Sequence, residues 1–199
     1  MNWQETYDAF HEATRALAAA LGYRDLMTRL HSERVRGLCS EIGRHCDLEE
    51  EEMEALGLSA SFHDIGKIGV PDNILFKPAR LEEDERKVMQ RHAEIGEKIM
   101  LATELGGCEL AATLIRHHHE HYDGTGYPDG LLGEAIPICS RIISIADSYD
   151  AMAVTRPYHQ AKKHEEIMAV LTEETGKKHD PRLMSVFREI MGRSRYTVD

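Results

Sequence analysis

The sequence predicts an all-α fold, a helical bundle entered through a helical arm. Three observations carry that expectation. No segment alternates apolar and polar residues over the length of a strand. Apolar residues recur instead at steps of three and four through most of the chain. Helix-start signals stand where those runs begin, as at Pro137, Pro181 and Asp180. The 199 residues suffice for one large domain, or for one domain plus an arm.

Trp3, Tyr7, Phe10, Thr14, Leu17 and Leu21 step by four and three, a heptad-like stripe broken at Thr14, and Gly22 is expected to close that helix. Such a stripe packs on its own domain or pairs two chains as a homodimer through residues 1–21. We assign residues 1–24 to this amphipathic helix and 25–199 to the domain proper. A second helix is expected from near Thr28, with Leu30, Val35, Leu38 and Ile42 on its buried side. Asp47-Leu48-Glu49-Glu50 has capping-box spacing and should start a third, whose inner face carries Met53, Leu56, Ala60 and then His63-Asp64. Further helices are expected over about 81–104, 108–120, 137–153, 163–175 and 181–192. There is no internal repeat, low-complexity tract or linker-like stretch.

Hydrophobic residues at 42% and charged residues at 30% describe an ordinary soluble globule. The start, MNWQETYDAF, lacks a basic n-region, and no apolar run approaches the roughly 18 residues of a membrane span. A cytoplasmic protein is the expectation, unless residues upstream have been removed. The net charge of −11 argues against long nucleic acid as a partner, but not against a small anion held by local cations. Cys39, Cys46, Cys108 and Cys139 form no C-x-x-C pair and are expected as reduced thiols.

His31, His63, Asp64, His92, His118, His119 and Asp147 are the candidate metal ligands. A lone His31 on an apolar stripe is more often a core residue. His63-Asp64 before Gly66-Lys67 says more. The carboxylate can bridge two ions while the imidazole binds one, Gly66 lets the chain turn, and Lys67 points back as a phosphate-binding cation. The run His117 to His121 could be a surface cluster, but the compact turn Asp123-Gly124-Thr125-Gly126-Tyr127-Pro128 suggests a shaped site wall. There two glycines can take positive φ. Asp147, among Ile142, Ile143, Ile145 and Ala146, needs a cation, which Arg141, Arg156 or a metal could supply. Imidazole with carboxylate suits Fe, Mn, Zn or Ni. The set exceeds what one catalytic zinc takes and fits two metals sharing a carboxylate, the arrangement that clamps a phosphoryl displacement.

The strings HDIGKIGVPD (63–72), QRHAEIG (90–96), HHEHYDGTGYPDGLLGEAIP (118–137), RIISIADSYDAM (141–152), TRPY (155–158) and HDP (179–181) resemble, in order and spacing, the HD-GYP family of metal-dependent HD phosphohydrolases. The resemblance implies an HD-domain bundle that hydrolyses cyclic di-GMP to pGpG, in some members onward to GMP. It implies metal binding by the seven residues named above, with two Fe or Mn ions the expected cofactors, and phosphate contacts from Lys67 and Arg156. Gly126 and Tyr127 would border the substrate and are linked in the family to contacts with GGDEF-type cyclases. Asp64 and Lys67 are the expected catalytic residues, the two ions sharing a water to supply hydroxide near neutral pH. Glu120 and Asp123 would orient ligand imidazoles, with Asp123 equally a turn cap.

The chain departs from the family in three places. Met27 replaces the Glu of members with a third metal, His159 stands where Lys or Arg often holds the dinucleotide, and Ala153-Val154 replaces a usual Thr-Ser. The alternatives are another nucleotide substrate, such as cyclic GMP-AMP, and a non-catalytic module binding dinucleotide or cyclase.

Overall fold

Asp25 starts the first long helix: its carboxylate accepts from Thr28 N at 3.1 Å and from Thr28 Oγ1 at 2.6 Å. The computed structural model describes residues 19–104, 108–155 and 160–193. Most of the stripe from Trp3 to Leu17, together with Arg156 and His159, lies outside them. Residues 19–24 are helical, so Gly22 does not close the first helix, which runs on to Arg24.

The described elements are α1 (Leu26–Gly43), α2 (Glu50–Phe62), a 3-10 helix (Ile65–Gly69), α3 (Asp72–Leu75), α4 (Glu83–Gln90), α5 (His92–Leu101), α6 (Cys108–Arg116), a second 3-10 turn (Gly133–Ala135), α7 (Ile138–Ala153), α8 (His164–Glu173) and α9 (Pro181–Arg193). Among the described residues there is no strand, only the isolated bridges Asp123–Leu132 and Thr175–His179. The fold is all-α, as expected. No described helix is long and apolar enough to cross a membrane.

Four boundaries differ from the periodicity. Asp47 takes a left-handed φ of 51° and ends the preceding turn, so the capping box moves two residues on, to Glu49 and Glu52. The expected helix over 81–104 breaks into α4 and α5 at Arg91, which stays in the αR region (φ −62°, ψ −12°) and so leaves no trace in the pattern. The helix from Cys108 stops at Arg116 instead of running to 120. Pro137 is the N-cap of α7 rather than its first residue. Asp180 caps α9 as expected, accepting from Arg182 N at 2.7 Å, and also receives Arg141 at 2.5 Å.

Two apolar clusters share α2 and α6. One joins Val35, Leu38 and Ile42 of α1 to Leu56, Leu114, Ile142, Ile143 and Phe187. The other gathers Leu21, Leu58, Phe62, Ile65, Met100 and Ile115. On α1 it is His31, not the half-buried Leu30, that continues the buried stripe. Cys39, Cys108 and Cys139 are buried and Cys46 half-buried, all as free thiols.

Arg24 ties the incoming helix to the first 3-10 helix. Its guanidinium donates to Lys67 O at 3.3 Å, to Ile68 O, to Val70 O at 2.6 Å and to Asp72 Oδ1 at 2.5 Å. Carbonyls at the end of a short helix, Ile68 O and Val70 O beside the already bonded Lys67 O, thereby gain a charged donor. Arg24→Ala is expected to lower stability by about 2 kcal/mol, the scale of hydrogen bonds to a charged group. Urea unfolding reads it, and a loss below about 0.5 kcal/mol would mean that water replaces the clamp.

Candidate metal centre

The bundle brings all seven candidate ligands together. α1 carries His31, the end of α2 presents His63 and Asp64, α5 begins at His92, the turn after α6 holds His118 and His119, and α7 contributes Asp147. Asp64 lies at the middle. Its Oδ2 is 3.9 Å from His31 Nε2 and 3.6 Å from His63 Nε2, while its Oδ1 is 3.6 Å from His92 Nε2. Asp147 Oδ1 stands 3.0 Å from His31 Nε2. His92 Nε2 and His118 Nε2 are 3.4 Å apart, and the His118 and His119 ring centroids 3.9 Å. Ligand atoms of His31, His63 and Asp64 fall within 4.8 Å of one another, as do those of His92, His118 and His119.

One local device aims three of these rings. His63 Nδ1 bonds Ala60 O at 2.8 Å, His92 Nδ1 bonds Met89 O at 2.8 Å, and His118 Nδ1 bonds Ile115 O at 2.6 Å. Each is the carbonyl three residues back, left over where a helix ends or breaks. A carbonyl only accepts, so Nδ1 carries the proton and each Nε2 turns a lone pair inward. His63 Nε2 is buried with no hydrogen-bond partner. Two lone pairs at 3.4 Å cannot bond each other. Both facts fit a cation among these nitrogens and no other protein group.

The charges agree with that donor set. Burial lowers the His63 and His92 pKa values, holding both rings neutral, and burial together with the neighbouring His63 and His92 takes His118 down to about 3. His31 is the exception. Burial lowers its pKa, but hydrogen bonds to Asp147 and Asp150 outweigh it and raise the value to about 9. Burial alone would raise the Asp64 carboxyl, yet it lies well below the usual carboxylate range. The largest counter-charge is Lys67, whose Nζ is 2.6 Å from Asp64 Oδ2, and His31 adds to it from 3.9 Å.

Asp150, one turn beyond Asp147 on α7, is a functional neighbour absent from the candidates named from the sequence. It accepts from His31 Nδ1 at 2.6 Å and from Arg34 Nε and Nη2 at 2.6 and 2.9 Å. The spacing Asp147 to Asp150 on one helix was the signal available. Arg141 is not the partner of Asp147, since it binds Asp180.

The turn after α6 corrects other roles. Glu120 orients no imidazole; its carboxylate accepts from the amides of Asp129, Gly130 and Leu131 at 2.7, 3.1 and 3.0 Å. Asp123 caps Thr125, accepting from its N at 3.0 Å and its Oγ1 at 2.6 Å, which is the turn reading. Gly124 has a φ of +79°, but Gly126 is not left-handed. It is glycine because a Cβ there would lie 2.2 Å from His121 N and 2.5 Å from Glu120 Cα. Arg116 grips Asp129 with two bonds of 2.7 Å, and His117 Nε2 adds a third at 2.9 Å. His117, Glu120 and Asp129 also lie at metal-ligand spacing, but these bonds already occupy both carboxylates. So secured, the turn stacks Tyr127 on His119 with ring centroids 4.9 Å apart. Burial raises the Tyr127 pKa and keeps the phenol neutral.

A cavity of about 570 Å³ opens on the centre, with His31, Lys67, His92, His119 and Tyr127 in its wall. An all-α domain that gathers helix-borne histidines around a buried His-Asp pair is of the HD type. A family model described as HD domain matches residues 15–183. The chain belongs to that HD domain family, in its HD-GYP branch.

Over 178 residues it is 39% identical to the cyclic di-GMP phosphodiesterase response regulator RpfG of Xanthomonas campestris, covering 89% of this chain and 47% of that protein. It is 37% identical over 186 residues to a cyclic di-GMP phosphodiesterase of Thermotoga maritima, covering 94% and 50%. A 3'3'-cGAMP-specific phosphodiesterase 2 of Vibrio cholerae is 35% identical over 173 residues, covering 87% and 33%. The chain thus spans half or less of the length of these relatives. An HDG"Y"P protein from Bdellovibrio bacteriovorus shares the fold, with a TM-score of 0.68 at 18% identity over 90% of this chain and 57% of that one.

Proposed function

We propose that this chain hydrolyses the 3′–5′ phosphodiester of cyclic di-GMP to pGpG. The observation that carries the reading is Asp64, a buried carboxylate whose two oxygens face two separate groups of imidazoles. His31, His63, Asp64 and Asp147 would hold one metal ion, and His92, His118, His119 and the other Asp64 oxygen a second, Fe or Mn by the donor set. Met27 brings only a thioether to the position of a further ligand, so about two ions per chain are expected. Bound there, the ions supply Lewis acidity and lower the pKa of water.

The chain's own groups do the rest. Lys67 holds Asp64 ionised through one N–H, and its other two N–H donors are available to a non-bridging phosphate oxygen. Tyr127 walls the cavity beside His119, and Gly126 lets the turn that carries it pack against the backbone of Glu120 and His121. On the family resemblance, Arg156 would add a further phosphate contact. Pairing with a GGDEF-type cyclase through the Gly126–Tyr127 turn, and homodimerisation through residues 1–21, are proposed on the family resemblance and the sequence stripe.

Likeness to the cGAMP-specific enzyme of Vibrio cholerae favours cyclic GMP-AMP as a second substrate. Protein loaded anaerobically with iron or manganese should therefore be given each dinucleotide in turn. Conversion of cyclic di-GMP to pGpG, with about two ions per chain by elemental analysis, is the expected result. Intact dinucleotides in every arm, or no retained metal, would refute the reading.

A further inference from the structure

We propose that Phe76 and Met27 form a platform on which one purine base of the cyclic dinucleotide stacks. The inference rests on the substrate reading above. Phe76 is 47% and Met27 40% exposed, whereas Phe62 and Phe187 are buried at 4% and 0%. Leaving apolar surface in water forgoes the stabilisation that its burial would give. These two large side chains are therefore not explained by core packing.

Both open on the cavity that holds His31, Lys67, His92 and His119. They reach it from different elements. Met27 stands on the first turn of α1, fixed by the Asp25 cap. Phe76 is the C-cap of α3, its N–H donating to Asp72 O at 2.9 Å. The next residue is anchored too, Lys77 Nζ meeting both Glu85 oxygens at 2.6 and 2.7 Å. Leu75 and Met89 add apolar lining, so the platform is preorganised rather than a loose flap.

The cavity thus has a charged, metal-ligating part and an apolar part, within the roughly 300–1,000 Å³ of ordinary ligand pockets. A cyclic dinucleotide matches that division, with an anionic phosphodiester flanked by flat bases whose π faces are weakly hydrated. Phosphate at Lys67 leaves a base to be covered, and an aromatic ring with a thioether is suited to a π face.

The platform would grip without reading sequence. Asp25 and Thr28, polar groups in the same lining, are bonded to each other, and Lys77 to Glu85. These side chains are engaged with one another rather than held out to a base edge, and stacking tolerates guanine and adenine alike.

Steady-state kinetics on the metal-loaded chain tests this. Phe76→Ala should raise KM for cyclic di-GMP on the order of tenfold, with kcat moving much less. Cyclic GMP-AMP, if turned over, should lose by a similar factor. Phe76→Tyr should restore KM, and Met27→Ala should raise it by a smaller factor. A binding readout accompanies the kinetics. The native chain has one tryptophan, Trp3, so a Phe76→Trp chain should show new emission that cyclic di-GMP quenches. A wild type that turns over cyclic di-GMP while Phe76→Ala keeps its KM, or a new tryptophan blind to the ligand, would overturn the platform alone. A wild type that binds without cleaving would sink the hydrolase reading, while quenching could still establish the platform. Neither binding nor cleavage would sink both.

Discussion

Asp64→Ala is expected to lose its metal ions and its phosphodiesterase activity together. Among the described residues no other side chain presents one oxygen to His31 and His63 and the other to His92, at 3.9, 3.6 and 3.6 Å. Removing it takes an anionic bridge from both halves of the centre and leaves Lys67, 20% exposed, without its partner at 2.6 Å. An ion held here stabilises developing charge by several kcal/mol, so turnover should fall by more than about a thousandfold. Asp64→Asn, nearly the same shape without the charge, should do the same and so exclude a merely steric effect. Lys67→Ala provides the contrast. It leaves every imidazole in place, so the metals should stay while most turnover is lost, if its free donors act on the phosphate as proposed. Elemental analysis and product assays on the three variants decide the matter. Variants at both positions that kept their metals and near-normal rates would show that the centre does not work through this motif.

How much of this was legible from residues alone depended on the range of the interaction. Repeats of three and four on α1 and α7 are local, and both helices lie within two residues of where the pattern puts them. The candidate ligands were legible as a set because their residue types are costly to bury without a cation, and the fold brings them together. Boundaries were less so, because they turn on single dihedrals. Nothing in the composition around Asp47 announces its positive φ, and nothing around Arg91 announces that the helix breaks before His92. Second partners were least legible. Asp150 reads as another polar residue until α1 places His31 and Arg34 against it. The carbonyls that aim His63, His92 and His118 carry no side-chain signature, although each lies three residues back. Glycines showed the same limit. Turn chemistry was the obvious explanation for Gly66 and Gly126, but each is required by backbone from elsewhere in the chain or earlier in the turn.

Gly66→Ala should be the most damaging small substitution in the domain. Gly66 is not among the left-handed glycines, so backbone strain is not the reason. A Cβ at this position would lie 1.9 Å from His92 O, 2.6 Å from Gly96 N and 2.8 Å from His92 C, well inside the 3.4–4 Å of ordinary contact. These are backbone atoms of α5, which no rotamer change can move aside. Relief requires the 3-10 helix and α5 to separate. That motion pulls Asp64, two residues before Gly66, away from His92, the first residue of α5. Stability should fall by at least the roughly 3 kcal/mol at the upper end of overpacking costs, about 6–12 °C in Tm for a chain of this size. Metal occupancy should fall with it, because the 3.6 Å approach of His92 Nε2 to Asp64 Oδ1 is lost. Gly57→Ala is the control. It lies inside α2 with nothing within 4 Å of its added Cβ, so the same exchange should stabilise by about 0.5–1 kcal/mol through helix propensity. Thermal unfolding of the two variants beside wild type gives the signs directly. Equal melting temperatures for wild type and Gly66→Ala would mean that the 3-10 helix and α5 are not held at this separation.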